Sequence, residues 1–298
     1  MTDNLQDPAR DTAVPVLRAG VFMMGAVASF TLMAVAGRQV SFELDTFEIM
    51  MFRSIVGLVV VMGFVLAQGR LHELPTQKTG THLLRNVFHF TGQNLWFFAI
   101  TMIPLAQVFA LEFTTPLWVL ILSPLMLGER MTRMRVIAAV LGFIGILIVA
   151  RPTPDTLNIG TAAAAACAIG FAGTYIFAKR LTRTESLTCI LFWMTVMQAV
   201  FGLVCAGFDG DTALPSLVSL PWLVAIGICG LTAHFCITSA LALAPATLVS
   251  PIDFMRLPVI AIVGLLVYDE AVSVFVFVGA ALIFGANYLN LWSETRKR

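Results

Sequence analysis

The sequence predicts an all-α polytopic membrane protein: ten transmembrane helices arranged as a 5+5 inverted repeat, with both termini on the cytoplasmic side. Three observations carry this. Of 298 residues, 59% are hydrophobic and 12% charged, against about 25% charged in ordinary soluble domains. Apolar runs long enough to cross a bilayer recur along the whole chain. The chain also matches itself at a constant offset of 141 residues.

The predicted spans lie near 16–37, 47–68, 82–102, 105–127, 134–151, 158–178, 187–207, 219–242, 246–268 and 272–293. At 1.5 Å of rise per residue, each covers a hydrocarbon layer of about 30 Å. Residues 1–15 are polar and are expected to form a cytoplasmic tail. The first apolar run is too long for the core of a signal peptide and reads as an uncleaved span. No polar segment between spans is long enough to be a soluble domain.

Lys and Arg set the orientation, because positive loops stay cytoplasmic. With the N-terminus inside, 14 of the 18 Lys and Arg fall in inner segments, Arg70, Lys78 and Arg85 among them. Only Arg38 and Arg151 fall outside, and Arg53 and Arg256 lie within spans.

The offset of 141 places Phe30 on Phe171, Arg38 on Lys179, Thr91 on Thr232, Pro104 on Pro245, Glu112 on Asp253, Phe113 on Phe254 and Glu129 on Glu270. Apolar coincidences are cheap in such a chain. Prolines and carboxylates in one gapless register are not. The expected units are 16–151 and 158–293, each of five helices. Five is odd, so the second copy inserts upside down, an architecture of secondary transporters that places the site near the midplane between the halves.

Ten spans, this inverted repeat and the pairs Gly128–Glu129 and Asp269–Glu270 after spans four and nine resemble the drug/metabolite transporter superfamily, specifically its EamA-type members. The resemblance covers about 17–151 and 158–292. It implies a transporter of small metabolites. Some members of that superfamily export amino acids and other metabolites, and others import riboflavin or S-adenosylmethionine.

Charge within a span costs about 2.5–3.5 kcal/mol on insertion scales, so it persists where it is paired, hydrated or turned to a cavity. Glu112 and Asp253 are therefore candidate site residues; the alternative is an ion pair that ties helices together. Arg53 lies at the depth of Glu112 and is a candidate partner for it, for coupling or for structure. Asp253 and Arg256 are three apart on one helix face. That leaves Glu112 without a cation on its own helix, and a lone buried carboxyl is the one expected to carry a proton. In span three, Asn86, His89, Gln93 and Trp96 recur at spacings of 3, 4 and 3, one polar face of a helix, with Asn94 about 100° round from Gln93. His234 is the repeat partner of Gln93. These residues, with Glu112, Asp253 and Arg256, are the expected substrate-binding set. Glu129 and Glu270 read as contacts that end a helix or gate a face.

The net charge of +1 gives no reason to expect nucleic acid. No P-loop, HExxH or GxSxG is present. The five cysteines form no CxxC and lie in apolar runs, and no His, Cys or carboxylate pair has metal-ligand spacing, so neither metal nor cofactor is expected and no catalytic set is assigned. The expected partners are a small polar solute, the lipid bilayer of the cell inner membrane, protons, and a second copy of the chain in a homodimer. The expected mechanism is alternating access; an intramembrane enzyme, a channel or a regulatory membrane protein are the alternatives.

Overall fold

The computed structural model describes residues 8–127, 133–151, 158–181, 183–208, 213–243, 255–271 and 273–295. Its helices are α1 (Pro8–Val40), α2 (Thr46–Ala67), α3 (Thr79–Met102), α4 (Leu105–Glu112), α5 (Thr115–Leu127), α6 (Arg133–Ala150), α7 (Ile159–Leu181), α8 (Leu187–Ala206), α9 (Leu220–Leu243), α10 (Arg256–Tyr268) and α11 (Val274–Thr295). No strand occurs among the described residues. Five helical stretches are long and apolar enough to cross a membrane: Leu17–Val40, Thr46–Ala67, Ile159–Ala178, Leu187–Ala206 and Leu220–Ile237. Shorter apolar stretches lie in α4–α5, α6, α10 and α11. Helix α3 is as long, at 24 residues, but carries the polar face. Side chains such as Leu17, Val59, Leu203 and Leu266 are exposed, while Arg53, Arg85, Asn86 and His89 are buried. That distribution is the reverse of a water-soluble protein.

The 141-residue register reappears in the helix ends. Helices α3 and α9 begin and end in register, as do α5 and α10; α1 and α7 end in register, and α2 and α8 begin in it. Local chemistry follows. Asp45 caps α2, its Oδ1 accepting from Glu48 N at 2.8 Å while Glu48 Oε2 accepts from Asp45 N at 2.9 Å, a capping box. The repeat-equivalent Ser186 caps α8, accepting from Cys189 N at 3.1 Å.

Packing obeys the same symmetry. Helix α3 packs on α7 and α1 on α9, two contacts that exchange when the halves are exchanged. The pairs α2 with α8 and α6 with α11 map onto themselves and so straddle the pseudo-two-fold axis. The α3–α7 crossing is close because it is made by glycines. A Cβ on Gly170 would lie 2.7 Å from Gly92 Cα, so any larger residue would push the helices apart.

Span four is two helices rather than one. The chain leaves the helix at Phe113 and Thr114 and re-enters it at Thr115. Pro116 has no N–H to give to the Glu112 carbonyl four residues back; the Thr115 hydroxyl donates to that carbonyl instead, at 2.7 Å, and the Thr114 hydroxyl donates to the Leu111 carbonyl at 2.7 Å. Helix α10 begins at Arg256, the repeat position of Thr115. Asp253, Pro245 and Pro251 lie outside the described residues.

Candidate functional site

Glu112 sits at the break in span four. Its Oε2 accepts from Trp96 Nε1 at 2.9 Å, and its Oε1 accepts from Arg256 Nη1 at 3.3 Å. The Arg256 guanidinium also lies over three rings: Phe30 at 4.6 Å, Phe113 at 5.0 Å and Phe109 at 5.5 Å from the centroids. Ring faces attract a cation, and the carbonyl end of α4 beside Glu112 does the same. Every one of these partners of Arg256 belongs to the first half of the chain. The cation from one repeat is thus held in a cage built by the other.

This corrects two expectations. Arg53 does not pair with Glu112, although both lie about 10 Å inside their helices. Helix α2 packs on α8 and α9, whereas α4 packs on α7, α10 and α6, so equal depth does not make them neighbours. Glu112 also has a cation, supplied by Arg256, and the reason to expect it to carry a proton disappears. Whether Asp253 shares Arg256 lies outside the described residues.

A second cluster lies around His89. Its ring meets that of His234 at 5.9 Å and that of Phe171 at 6.3 Å, and His234 meets Phe30 at 6.3 Å. Phe30 therefore touches both clusters. Arg53 and Arg85 lie near enough to act electrostatically on both histidines. Arg53 Nη1 donates to Met50 Sδ at 3.3 Å, and a Cβ on Gly230 would come within 3.2 Å of its Nη2. Arg85 donates weakly, to Asn86 Oδ1 at 3.4 Å and Met194 Sδ at 3.5 Å. Beside them is a narrow cavity lined by Arg53 and Met194, Ser54 and Thr195, Gly57 and Gln198. Each of those couples is a repeat pair, so the cavity straddles the axis. Its charge is one-sided, with an arginine facing a methionine.

The predicted face of α3 is buried throughout: Asn86, His89, Gln93, Asn94 and Trp96. Its members divide between the clusters, Asn86 and His89 with the arginines and Trp96 with Glu112. Asn94 Nδ2 donates to the Phe90 carbonyl at 2.8 Å, within its own helix. Arg85, counted by charge with the inner-segment cations, is buried beside the His89 cluster, 4% exposed. Its spacing was the available signal: Arg85, His89 and Gln93 recur every four residues. Gln198 was a lone polar residue in a span, with nothing to single it out.

One end of the bundle is latched across the halves. Arg38 pairs with Glu270 and donates from Nη2 to the Ile103 carbonyl at 2.9 Å; Glu270 Oε2 accepts from Leu105 N at 2.9 Å, an unpaired donor at the start of α4. Asp269 ends α10 in the left-handed conformation, φ 55°. This gives a physical reason for the small or short polar residue before the glutamate in the Gly128–Glu129 and Asp269–Glu270 motif. Gly128 and Glu129 themselves lie outside the described residues. Nearby, Glu43 accepts from Ser219 Oγ, from Ser216 Oγ at 2.8 Å and from Ser216 N.

At the other end, Thr76 Oγ1 donates to Glu185 Oε1 at 2.7 Å and Trp193 Nε1 to the Leu74 carbonyl at 3.0 Å. His82, Glu185 and Cys189 also gather here, their ligand atoms within 4.8 Å of one another. No spacing along the chain announces this trio, because His82 comes from α3 and the others flank the start of α8. Glu185 is already held by protein donors, Thr76 and Cys189.

The chain belongs to the EamA-like transporter family, whose model matches residues 17–151 and again 158–292, two copies offset by the same 141 residues. It is therefore a multi-pass membrane protein. It is 30% identical to a riboflavin transporter of Brucella anthropi, covering 78% of this chain and 83% of that one. It is 26% identical to an S-adenosylmethionine uptake transporter of Rickettsia bellii, over 93% and 94% of the two chains. A riboflavin transporter of Vibrio cholerae is 28% identical over 94% and 95%. A solved crystal structure superposes with a TM-score of 0.62 at 20% identity, covering 94% of this chain and 98% of the other, a likeness of fold.

Proposed function

We propose that this protein is a secondary carrier for a small polar metabolite in the cell inner membrane, working by alternating access around the two clusters described. The observation that carries this is the Arg256–Glu112 pair inside its aromatic cage. It joins the two repeats at the break in span four, where a rocking of one half against the other must remake it. The Arg38–Glu270 latch closes one end. Lys179 and Glu129 occupy the equivalent sequence positions for the other end. The relatives named for riboflavin and S-adenosylmethionine support a solute with a flat heterocycle and polar substituents. Carriage, rather than chemistry on the solute, is the activity. Energy comes from the solute gradient or from coupled protons. One chain supplies both halves of the site, so a homodimer would pair two complete carriers.

Counterflow tests this reading. Proteoliposomes preloaded with unlabelled riboflavin, S-adenosylmethionine or an amino acid should accumulate the labelled form of at least one against its gradient. A channel or an enzyme would not exchange label, and failure with every solute in a broad metabolite panel would sink the proposal. Both termini and residues 69–81 are assigned to the cytoplasmic side. Single cysteines there, in a cysteine-free background, should resist an impermeant thiol reagent in whole cells.

A further inference from the structure

The arginines that do not belong to the Glu112 pair are the unexplained feature of the interior. Arg53 is 7% exposed and Arg85 4%. Among the described residues, neither reaches a carboxylate. Glu112 spends one oxygen on Trp96 and the other on Arg256, and Glu185 accepts from Thr76 and Cys189. A buried cation without a counter-charge is costly, and such groups persist in a span where something else supplies the charge. The donors around them are also unmet. Among the described residues, Arg85 Nε, Gln198 Nε2 and both ring nitrogens of His89 have no hydrogen-bond partner. Arg53 touches the sulfur of Met50, a weak acceptor, and Arg85 touches the sulfur of Met194 and, at a long 3.4 Å, the Asn86 amide oxygen. A guanidinium fork matches a carboxylate or a phosphate and little else as well.

We infer that Arg53 and Arg85, with Gln198 and His89, form a binding site for the anionic group, carboxylate or phosphate, of the carried solute. The inference rests on the carrier reading for the word carried, but not for the binding. The anion enters where the cavity straddles the axis, between Arg53 of α2 and Gln198 of α8, a gap now only about one water wide that must widen as the anion binds. It fills the charge that the first repeat supplies and the second leaves unanswered, since the repeat partner of Arg53 is Met194. The rings of Phe171 and Phe30, against His89 and His234, are placed for the flat remainder of such a solute. Hence the carried molecule has a net negative group in addition to any ring, a narrower class than polar metabolite.

The test is thermal unfolding of the purified full chain in neutral detergent, titrated with sodium benzoate, inorganic phosphate and, as the uncharged isostere of benzoate, benzamide. Binding to the folded state raises the midpoint as ligand saturates. Benzoate or phosphate should raise it and benzamide should not; the tighter of the two names the anionic group. Arg53→Met and Arg85→Met should each weaken the effect about tenfold or more. Arg53→Lys, which keeps the charge and loses the fork, should retain part of it. No shift with either anion, an equal shift with benzamide, or an unchanged shift in both Met variants would overturn the inference. Anion binding without counterflow would instead sink the carrier reading and leave this site standing.

Discussion

Arg256 and Arg53 are buried to the same degree, 5% and 7% exposed, yet their surroundings differ in kind. Arg256 has a carboxylate and three ring faces. Arg53 has a thioether, a glycine and a cavity. The first arrangement is closed, with its counter-charge built in from the opposite repeat. The second is open. The lesson is that burial of charge in a span does not by itself mark a ligand site; the partner it lacks does.

The largest expected effect breaks the closed cluster. Glu112→Gln takes from the buried Arg256 the carboxylate that the first repeat supplies, and the loss is expected at about 3–5 kcal/mol, read as a fall in the unfolding midpoint. The double variant Glu112→Gln/Arg256→Gln should recover most of that loss, because it removes both charges together. A double variant as unstable as the single one would show that the cage, and not the pair, holds the halves. Next comes Trp96→Phe, which keeps the ring but removes the donor to Glu112 Oε2. A hydrogen bond to a charged group is worth about 1.5–3 kcal/mol, and the variant should lose no more than that. Both should destabilise the protein with no anion present, which sets them apart from changes in the open cluster.

The smallest effect lies outside the membrane, at the latched end. Ser219 and Ser216 hydroxyls, then the Ser216 N–H, hold the Glu43 carboxyl below its ordinary value of 4.5. A lowered folded-state value means that this contribution is present above that ordinary value and is lost as pH falls through the lower one. Unfolding midpoints of wild type and Ser216→Ala/Ser219→Ala should therefore differ at neutral pH, and the gap should shrink as pH falls below 4.5. A constant gap across that window would show that the Glu43–serine contacts contribute nothing through the carboxylate's charge.

The repeat was legible because prolines and carboxylates hold one register, and helix ends in the structure keep it to the residue at α3 and α9. The polar face of α3 was legible from its period. The partner of Glu112 was not. Depth follows from counting along a helix, but lateral neighbours follow from which helices pack, and nothing in the spacing tells α2 from α10. Arg85 was hidden by the charge rule itself: it lies close enough to the start of its helix, six residues after Thr79, to be counted with the loop residues. The break at Phe113–Thr114 was half legible, since Pro116 announces a lost hydrogen bond, while the Thr114 and Thr115 hydroxyls that make a clean interruption emerge only with the backbone in view.

The distinction between closed and open cation sites is tested most directly by unfolding Arg256→Met and Arg53→Met side by side, in detergent and without added anion. Arg256→Met removes the cation that Glu112 pairs with and should lower stability by about 3–5 kcal/mol. Arg53→Met removes an unanswered charge and places there the residue found at its repeat position. It should leave stability unchanged or raise it by about 1–4 kcal/mol, the range seen when buried ionic groups give way to apolar ones. Two variants destabilised alike would contradict the distinction, because Arg53 would then have a counter-charge of its own.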